Sequence, residues 1–472
     1  MQEIDSPGVF WLPDSPEDKL SGRLTFSPTG KVRLNLVGEF AHAKFRSFDQ
    51  FQIHGWIGSD PITLDGCFSN GVYRKYSGVS ESRFAANRMF IGHIFKDQEL
   101  NFQQVCINVS HLAEWTGRTG IHVQESTDQS NSFSISYTHP PEEISEFSRG
   151  RVSLGQSWSR KTQLSKAEII QQPFIRIEYN ELVHCDDILT DVGRVQDLLT
   201  LCIDSPADTD KVIFCRPDIH STMLSGDSSG SPQRIEFRAP RLRYKPIEER
   251  KNLTPDSMLL TYSELGGTSS IASWLDETGA FERPLNSLMS VRNTDRIYAE
   301  NRFLNVAFAA EAYHRSTQGG SYMDQAEFER LLADYERITP DEHKKWLQSR
   351  LGYGNDAPLS KRLRQLAQRS RPATRTLIDQ EGRWAETISK VRNELTHLGA
   401  GPSPFTGSDL FFLSESVYSV VRVCMLNTCG ISPQTWMSKR ESQAIVKYGD
   451  RVRSAVHNAR KSLGISSPDR NL

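Results

Sequence analysis

The feature that most constrains this chain is a change of periodicity near residue 290. Before that point apolar residues alternate in short runs broken by turn residues; after it they recur at three- and four-residue spacings. Strand and helix patterns this well separated along a chain predict an α+β multidomain fold rather than one uniform layer. The 472 residues also exceed what one ordinary core supports.

In the first part, RLTF and KVRLNL flank Ser27-Pro28-Thr29-Gly30 and predict a hairpin. FQIHGWIG, PITLDGCF, RMFIGHIF, NFQQVCINV, SFSISYTH and GRVSLGQSW follow, each set off by turn residues. That spacing predicts an antiparallel sandwich or curled sheet over 1–155. Residues 156–290 read as a mixed α/β continuation. There FIRIEYN and KVIFC are strands, and DDILTDVGRVQDLLTLCI is a helix whose stripe is Ile188, Val192, Val195, Leu199 and Cys202.

From about 291 to 464 the pattern predicts an α-helical bundle. Thr294 is placed to cap DRIYAENRFLNVAFAAEAYHR. DQAEFERLLADYERI, PDEHKKWLQSRL, LSKRLRQLAQRS, GRWAETISKVRNELTHLG, DLFFLSESVYSVVRVCMLN and AIVKYGDRVRSAVHNARKSL supply the further helices. Residues 465–472 read as a disordered tail.

Composition excludes several classes. A formal charge of −2 rules out a bulk polycation, and no apolar run is long enough to cross a bilayer. The N-terminus MQEIDSPGVFWLPD lacks a secretory layout, which leads to the expectation of a cytoplasmic protein. Seven scattered cysteines without a C-x-x-C read as reduced, buried thiols. Zinc-ligand spacing, a P-loop and a dinucleotide fingerprint are all missing, so neither metal nor cofactor is expected.

The segment VRNELTHLG (391–399) carries the candidate chemistry. At 100° per residue, Trp384, Ile388, Val391, Leu395 and Leu398 form a core-facing stripe. Arg392, Asn393, Thr396 and His397 spread over the opposite arc, with Asn393 and His397 one turn apart. Any cleft they line must be completed by another surface, from elsewhere in the chain or from a second copy. An arginine and a histidine with four to six residues between them also occur at Arg88…His93, Arg337…His343 and Arg451…His457. The first of these opens an apolar strand, the second straddles Thr339-Pro340, and the third lies on a terminal helix. Upstream, Lys361, Arg362, Arg364, Arg369, Arg371 and Arg375 form a run free of acidic residues, readable as a solvated face or as an RNA-backbone docking strip. Glu311 interrupts the apolar stripe of AFAAEAYHR.

Arginine, a polar residue, three more residues and then histidine, closing a helix late in a bundle, resembles the signature of HEPN domains. GVFWLPDSPEDKLSGRLTFSPTGKVRLNLVGEF resembles the start of ApeA-type abortive-infection proteins, and DDILTDVGRVQDLLTLCID is similar to that family's N-terminal region. The resemblance implies a metal-independent endoribonuclease governed by an N-terminal sensing region over 1–290. Arg392 and His397 would be catalytic, Asn393 supporting, and Glu311 the acidic residue of the first HEPN helix reaching the site. It further implies a homodimer in which the motifs meet, host RNA (tRNA loops above all) as substrate, a phage-derived trigger and no membrane partner. The competing reading is a non-catalytic HEPN nucleotide-binding or dimerisation module beneath a ligand-binding β-rich domain.

Overall fold

Alternating apolar residues in the first half build one sheet that closes on itself and then continues. The computed structural model describes residues 3–27, 32–41, 50–73, 78, 80–96, 100–125, 133–222, 228–240, 252–294, 296–396 and 403–465. Strands β1 (Ile4–Leu12), β2 (Ser15–Phe26), β3 (Val32–Val37), β4 (Phe51–Ile57), β5 (Asp60–Tyr73) and β6 (Glu81–Ile91) form a ring. Each pairs antiparallel with two of the others, in the order β1-β2-β3-β6-β5-β4 and back to β1. The predicted hairpin is the β2–β3 pair, with Leu24 opposite Leu34, and its Pro28–Gly30 turn lies outside the described residues. Closure removes free edges and makes a barrel, the curled alternative of the sequence reading. Phe10, Leu24, Leu34, Leu36, Ile53, Ile62, Leu64 and Phe84 fill its interior. A Cβ on Gly55 would lie 2.5 Å from the Phe10 ring, so glycine there makes room for that ring.

β6 outlasts the barrel. Glu81–Ala86 pair with β3, whereas Met89–Ile91 pair with Glu236–Arg238. The ladder so extended contains β7 (Asn101–Val109), β10 (Glu143–Phe147), β11 (Gly150–Gln163), β12 (Lys166–His184), β13 (Thr209–Cys215) and β16 (Ile235–Arg238). Its order is β10-β11-β12-β7-β13-β16-β6, so strands from both sides of residue 155 share one sheet. β8 (Ile121–Glu125) with β9 (Phe133–Tyr137), and β14 (His220–Thr222) with β15 (Ser228–Pro232), make separate two-stranded ribbons. Phe90, Phe95, Phe102, Phe214 and Phe237 interlock here, with Phe102 stacked on Phe214 at 4.5 Å between centroids.

Helix α1 (Leu112–Thr116) is a single turn, whereas α2 (Cys185–Ile203) is long and carries the predicted stripe, wholly buried. On α2, Asp191 has no exposure, accepts both oxygens' worth of bonds from Arg149 at 2.7 Å, and takes the Tyr179 hydroxyl at 2.8 Å. A buried carboxylate with this many donors is satisfied rather than poised for chemistry.

The remaining helices are α3 (Tyr262–Leu265), α4 (Thr268–Glu277), α5 (Glu282–Arg292), α6 (Ala299–Gln318), α7 (Gln325–Ile338), α8 (Asp341–Leu351), α9 (Leu359–Thr374), α10 (Glu381–Thr396), α11 (Gly407–Leu426), α12 (Pro433–Lys439), α13 (Gln443–Val446) and α14 (Gly449–Ser462). By contacts the chain divides into a unit of Met1–Thr200, Ala207–Thr254 and Gly267–Leu275, and a helical unit of Leu201–Pro206, Pro255–Gly266 and Asp276–Leu472. Residues 466–472 lie outside the described residues. Among the described residues no helix is long and apolar enough to cross a membrane.

Two local expectations need correction. Helix formation starts before residue 294: Thr261 and Glu264 form a capping box that opens α3, followed by α4 and α5. Thr294 does not cap the next helix. Its hydroxyl donates to the Ser290 carbonyl at the end of α5, and α6 begins at Ala299 behind Tyr298.

Within the helical unit, α11 is the hub, with every residue from Leu413 to Leu426 buried. Beside it lies a charged cluster. Asp204, a left-handed residue at φ 57°, pairs with Arg292 at 3.2 Å, Lys447 at 3.1 Å and Arg422 at 3.5 Å. Glu415 pairs with Arg292 at 3.1 Å and Arg302 at 2.8 Å. The surplus cations are met by carbonyls, Arg422 donating to Leu201 at 2.5 Å, and by the Tyr418 ring 3.8 Å beneath Arg292. α7 and α8, by contrast, bury no residue.

Burial alone would raise the Asp204 carboxyl, but Arg422, Arg292 and Lys447 outweigh it and hold it below the ordinary 3.8. A depressed folded value means that its stabilisation is present above pH 3.8 and is lost as pH falls through the lower folded value. Asp204→Ala, which strands three cations, is expected to cost about 3–5 kcal/mol and to flatten the acid limb of a stability–pH profile. Urea titrations of both proteins between neutral and acidic pH check this; an unchanged midpoint would contradict it. Amide exchange should also be much faster in α7 and α8 than in α11, because only the latter needs global opening.

Candidate active site

α10 is placed by its apolar stripe. Trp384, Ile388, Val391 and Leu395 are buried, and Leu398 lies outside the described residues. The Trp384 indole donates to the Ser416 hydroxyl of α11 at 2.8 Å. Arg460 of α14 pairs with Glu386 at 2.8 Å, and with Lys390 it holds that carboxyl below its ordinary range. The helix therefore has little rotational freedom, and its polar arc is turned to a defined place.

That place is α6. Arg392 Nη2 lies 3.5 Å from Glu311 Oε2, and Arg392 Nη1 donates to Asn393 Oδ1 at 3.2 Å. Glu311 is shared: Arg315, one turn further along α6, reaches its other oxygen at 3.5 Å and Asp356 at 3.1 Å. Side-chain exposures of 38% for Arg392 and 25% for Glu311 leave both accessible to a ligand. They open on a groove of about 890 Å³, walled by Arg283, Pro284, Phe308, Glu311, Arg315 and Arg392. The cleft that the outward arc required is completed, on this side, by α5 and α6 of the same chain. His397 lies outside the described residues.

Three guanidiniums and the carboxylates of Glu282 and Glu311 line this groove. Forked, permanently charged donors suit a phosphodiester, and a carboxylate bridging two of them holds the fork in place. Sequence reading missed Arg315, Asp356 and the α5 wall. Glu311 followed by Arg315 at i,i+4 was the available signal for the first; α5 begins behind Phe281 without a side-chain cap and so carried no such signal.

The basic strip does not act as one surface. On α9 and at the residue that closes it, Lys361, Arg364, Arg371 and Arg375 follow one exposed stripe, whereas Arg369 projects from another. Arg371 is 3.4 Å from Glu381. Arg362 is a correction: it is 1% exposed and cannot reach a phosphate. Its guanidinium donates to the carbonyls of Ala357 at 2.9 Å and Gly319 at 2.8 Å, closing the carboxyl end of α6. It also donates to His314 Nδ1 at 3.1 Å, so that ring nitrogen is an acceptor and Nε2–H donates to Gln365 at 2.7 Å. Burial, reinforced by Arg362 and Arg369, keeps the His314 value below 6.5, which suits a neutral structural imidazole.

Among the described residues one cluster has metal-ligand geometry: His184, Cys185 and Asp186. Burial pushes the Cys185 thiol up to about 12, and Arg88 already occupies Asp186, so the donor set fits a cation poorly.

Arg362→Ala strands buried carbonyls and should lower stability by about 1–3 kcal/mol, while Lys361→Ala stays within about 0.5 kcal/mol. Thermal denaturation of the two variants distinguishes these roles, and equal losses would contradict them.

Comparison with known proteins agrees with the two-part architecture. The family model described as ApeA N-terminal domain 1 matches residues 6–274, and that described as Apea-like HEPN matches 304–435. No curated protein and no solved structure matches the chain significantly. Glu311, Arg392 and Asn393 fall inside the second range. With the first match alone covering more than half its length, the chain belongs to the ApeA family, as an abortive-infection effector with a C-terminal HEPN domain.

Proposed function

We propose that the helical unit is a metal-independent endoribonuclease whose site comprises Arg392, His397, Asn393 and Glu311. The observation that carries this reading is the Arg392–Glu311 contact at 3.5 Å inside an open groove. That contact brings the motif arginine to the groove, where a phosphate could take the place of the carboxylate.

RNA supplies its own nucleophile. The 2′-OH attacks the adjacent phosphorus while a base takes its proton; the P–O5′ bond breaks and the leaving 5′-oxygen gains a proton. Products are a 2′,3′-cyclic phosphate and a 5′-hydroxyl. His397, ordinarily near ~6.5, is suited to proton transfer at neutral pH. Arg392 stabilises charge developing on the phosphorane oxygens. Glu311 is a positioning residue: it aims Arg392 and yields it when phosphate enters. Asn393, bonded to Arg392, steadies the same fork.

Phe308, 57% exposed on the groove wall, offers a ring on which an unpaired base can stack. That favours single-stranded RNA such as tRNA loops. HEPN domains generally bind RNA and pair, and we place two such sites face to face in a homodimer. Lys361, Arg364, Arg371 and Arg375 are assigned to the RNA backbone. The N-terminal unit, answering a phage-derived trigger in the cytoplasm, would control the activity.

Arg392→Ala is expected to lower the cleavage rate about 10²–10³-fold and His397→Ala about 10²–10⁴-fold, with EDTA having no effect. Arg392→Lys should not restore activity, because an ammonium lacks the fork. Purified protein incubated with total tRNA checks this. Undiminished cleavage by either alanine variant would overturn the site; dependence on a divalent ion would overturn the mechanism.

A further inference from the structure

Beside the Arg392 groove lies a second cavity of about 500 Å³ that the reaction described above does not use. The two share Ala280 and Ser316 in their linings, so they adjoin. Around α6 they follow one another: Phe308, Glu311, Ala312 and Arg315 face the first, while Tyr313 and Thr317 face the second, with Ser316 between. An RNA strand with its phosphate at Arg392 thus has a neighbouring hollow within reach of an adjacent nucleotide.

The hollow has a restricted hydrogen-bonding repertoire. Ser316 and Thr317 spend their hydroxyl protons on the Tyr313 carbonyl, at 3.1 and 2.7 Å. Thr428 donates likewise to Met425 at 2.7 Å, and Tyr313 to Cys424 at 2.8 Å. The Cys424 thiol, pushed up to about 12 by burial, stays protonated. Asn427 is among the lining residues, and because Trp436 donates to its side-chain oxygen at 2.5 Å, the group that side chain has left for a ligand is its NH2. Glu277 supplies a carboxylate, and Arg369 supplies a cation with no ion pair among the described residues.

A carboxylate able to accept two N–H bonds, an amide NH2 and a phosphate-binding guanidinium match one nucleobase best. Guanine alone presents two N–H donors side by side with an acceptor on its Watson–Crick edge. We propose that this cavity is a guanine-nucleotide subsite of the nuclease, with Glu277 accepting from N1–H and N2–H, Asn427 donating to O6, and Arg369 holding the nucleotide's phosphate. This rests on the ribonuclease reading, and it assigns that enzyme a preference for cleaving next to guanosine.

The test is calorimetric binding of 5′-GMP, AMP, CMP and UMP to the full-length protein, alongside mapping of cleavage positions. GMP should bind about tenfold more tightly than the others. Glu277→Gln, which replaces one acceptor oxygen with a donor, should remove that preference and leave AMP binding unchanged. Arg369→Ala should weaken all four. Equal binding of the four nucleotides, or a guanine preference that survives Glu277→Gln, would overturn the subsite. If GMP binds as expected but no RNA is cut, the subsite stands and the nuclease reading falls; if RNA is cut without guanine preference, the reverse holds.

Discussion

The contact between α6 and α10 is the constraint on which the functional account depends. Arg392 and Glu311 are 81 positions apart in sequence and meet only because both helices are fixed independently. α6 is tied to α11 through Tyr313 and closed at its end by Arg362; α10 is tied to α11 through Trp384 and to α14 through Arg460. Each tie is a specific hydrogen bond or ion pair added to apolar packing, and each limits rotation of the helix it holds. An arginine fork needs such support, because an angular error of one residue's worth on either helix would separate the pair.

A second theme is how the helical unit handles charge. Buried and half-buried arginines here are paired or given to carbonyls: Arg362 to the end of α6, Arg422 to the end of α2, Arg292 and Arg302 to Glu415. The groove differs. Arg392 lies 3.5 Å from Glu311 with its side chain 38% exposed, and Arg315, 56% exposed, lies 3.5 Å from Glu311 and 3.1 Å from Asp356. Solvent-screened pairs of this kind can give a guanidinium to an anionic ligand at smaller cost than buried pairs can.

Much of this was legible in the sequence because it was local. The stripe of α2 and that of α10 depend only on the repeat of one helix, and both fell where the wheel put them, α10 as far as Leu395. The β2–β3 hairpin was readable from its turn residues. Barrel closure was not, because the β1–β4 and β3–β6 pairings join strands distant in sequence and no periodicity encodes them. Arg362 looked identical to Lys361 and Arg364 in a basic run; only the position of the α6 terminus separates a buried staple from a solvated charge. Thr294 had the right residue type for a cap but belonged to the preceding helix, while the informative signal, Thr261 with Glu264, stood further upstream.

The central claim is that the ribose hydroxyl beside the scissile phosphate performs the attack while Arg392 and His397 attend it. The most direct test uses an oligoribonucleotide that the protein cuts and a copy with a single 2′-deoxyribose at the cut position, products being identified by mass. The predicted result is loss of cleavage at that position alone, while the all-ribose strand is cut there to leave a 2′,3′-cyclic phosphate on the upstream fragment and a 5′-hydroxyl on the downstream one. Cleavage of the deoxy-substituted strand at the same link would contradict the account.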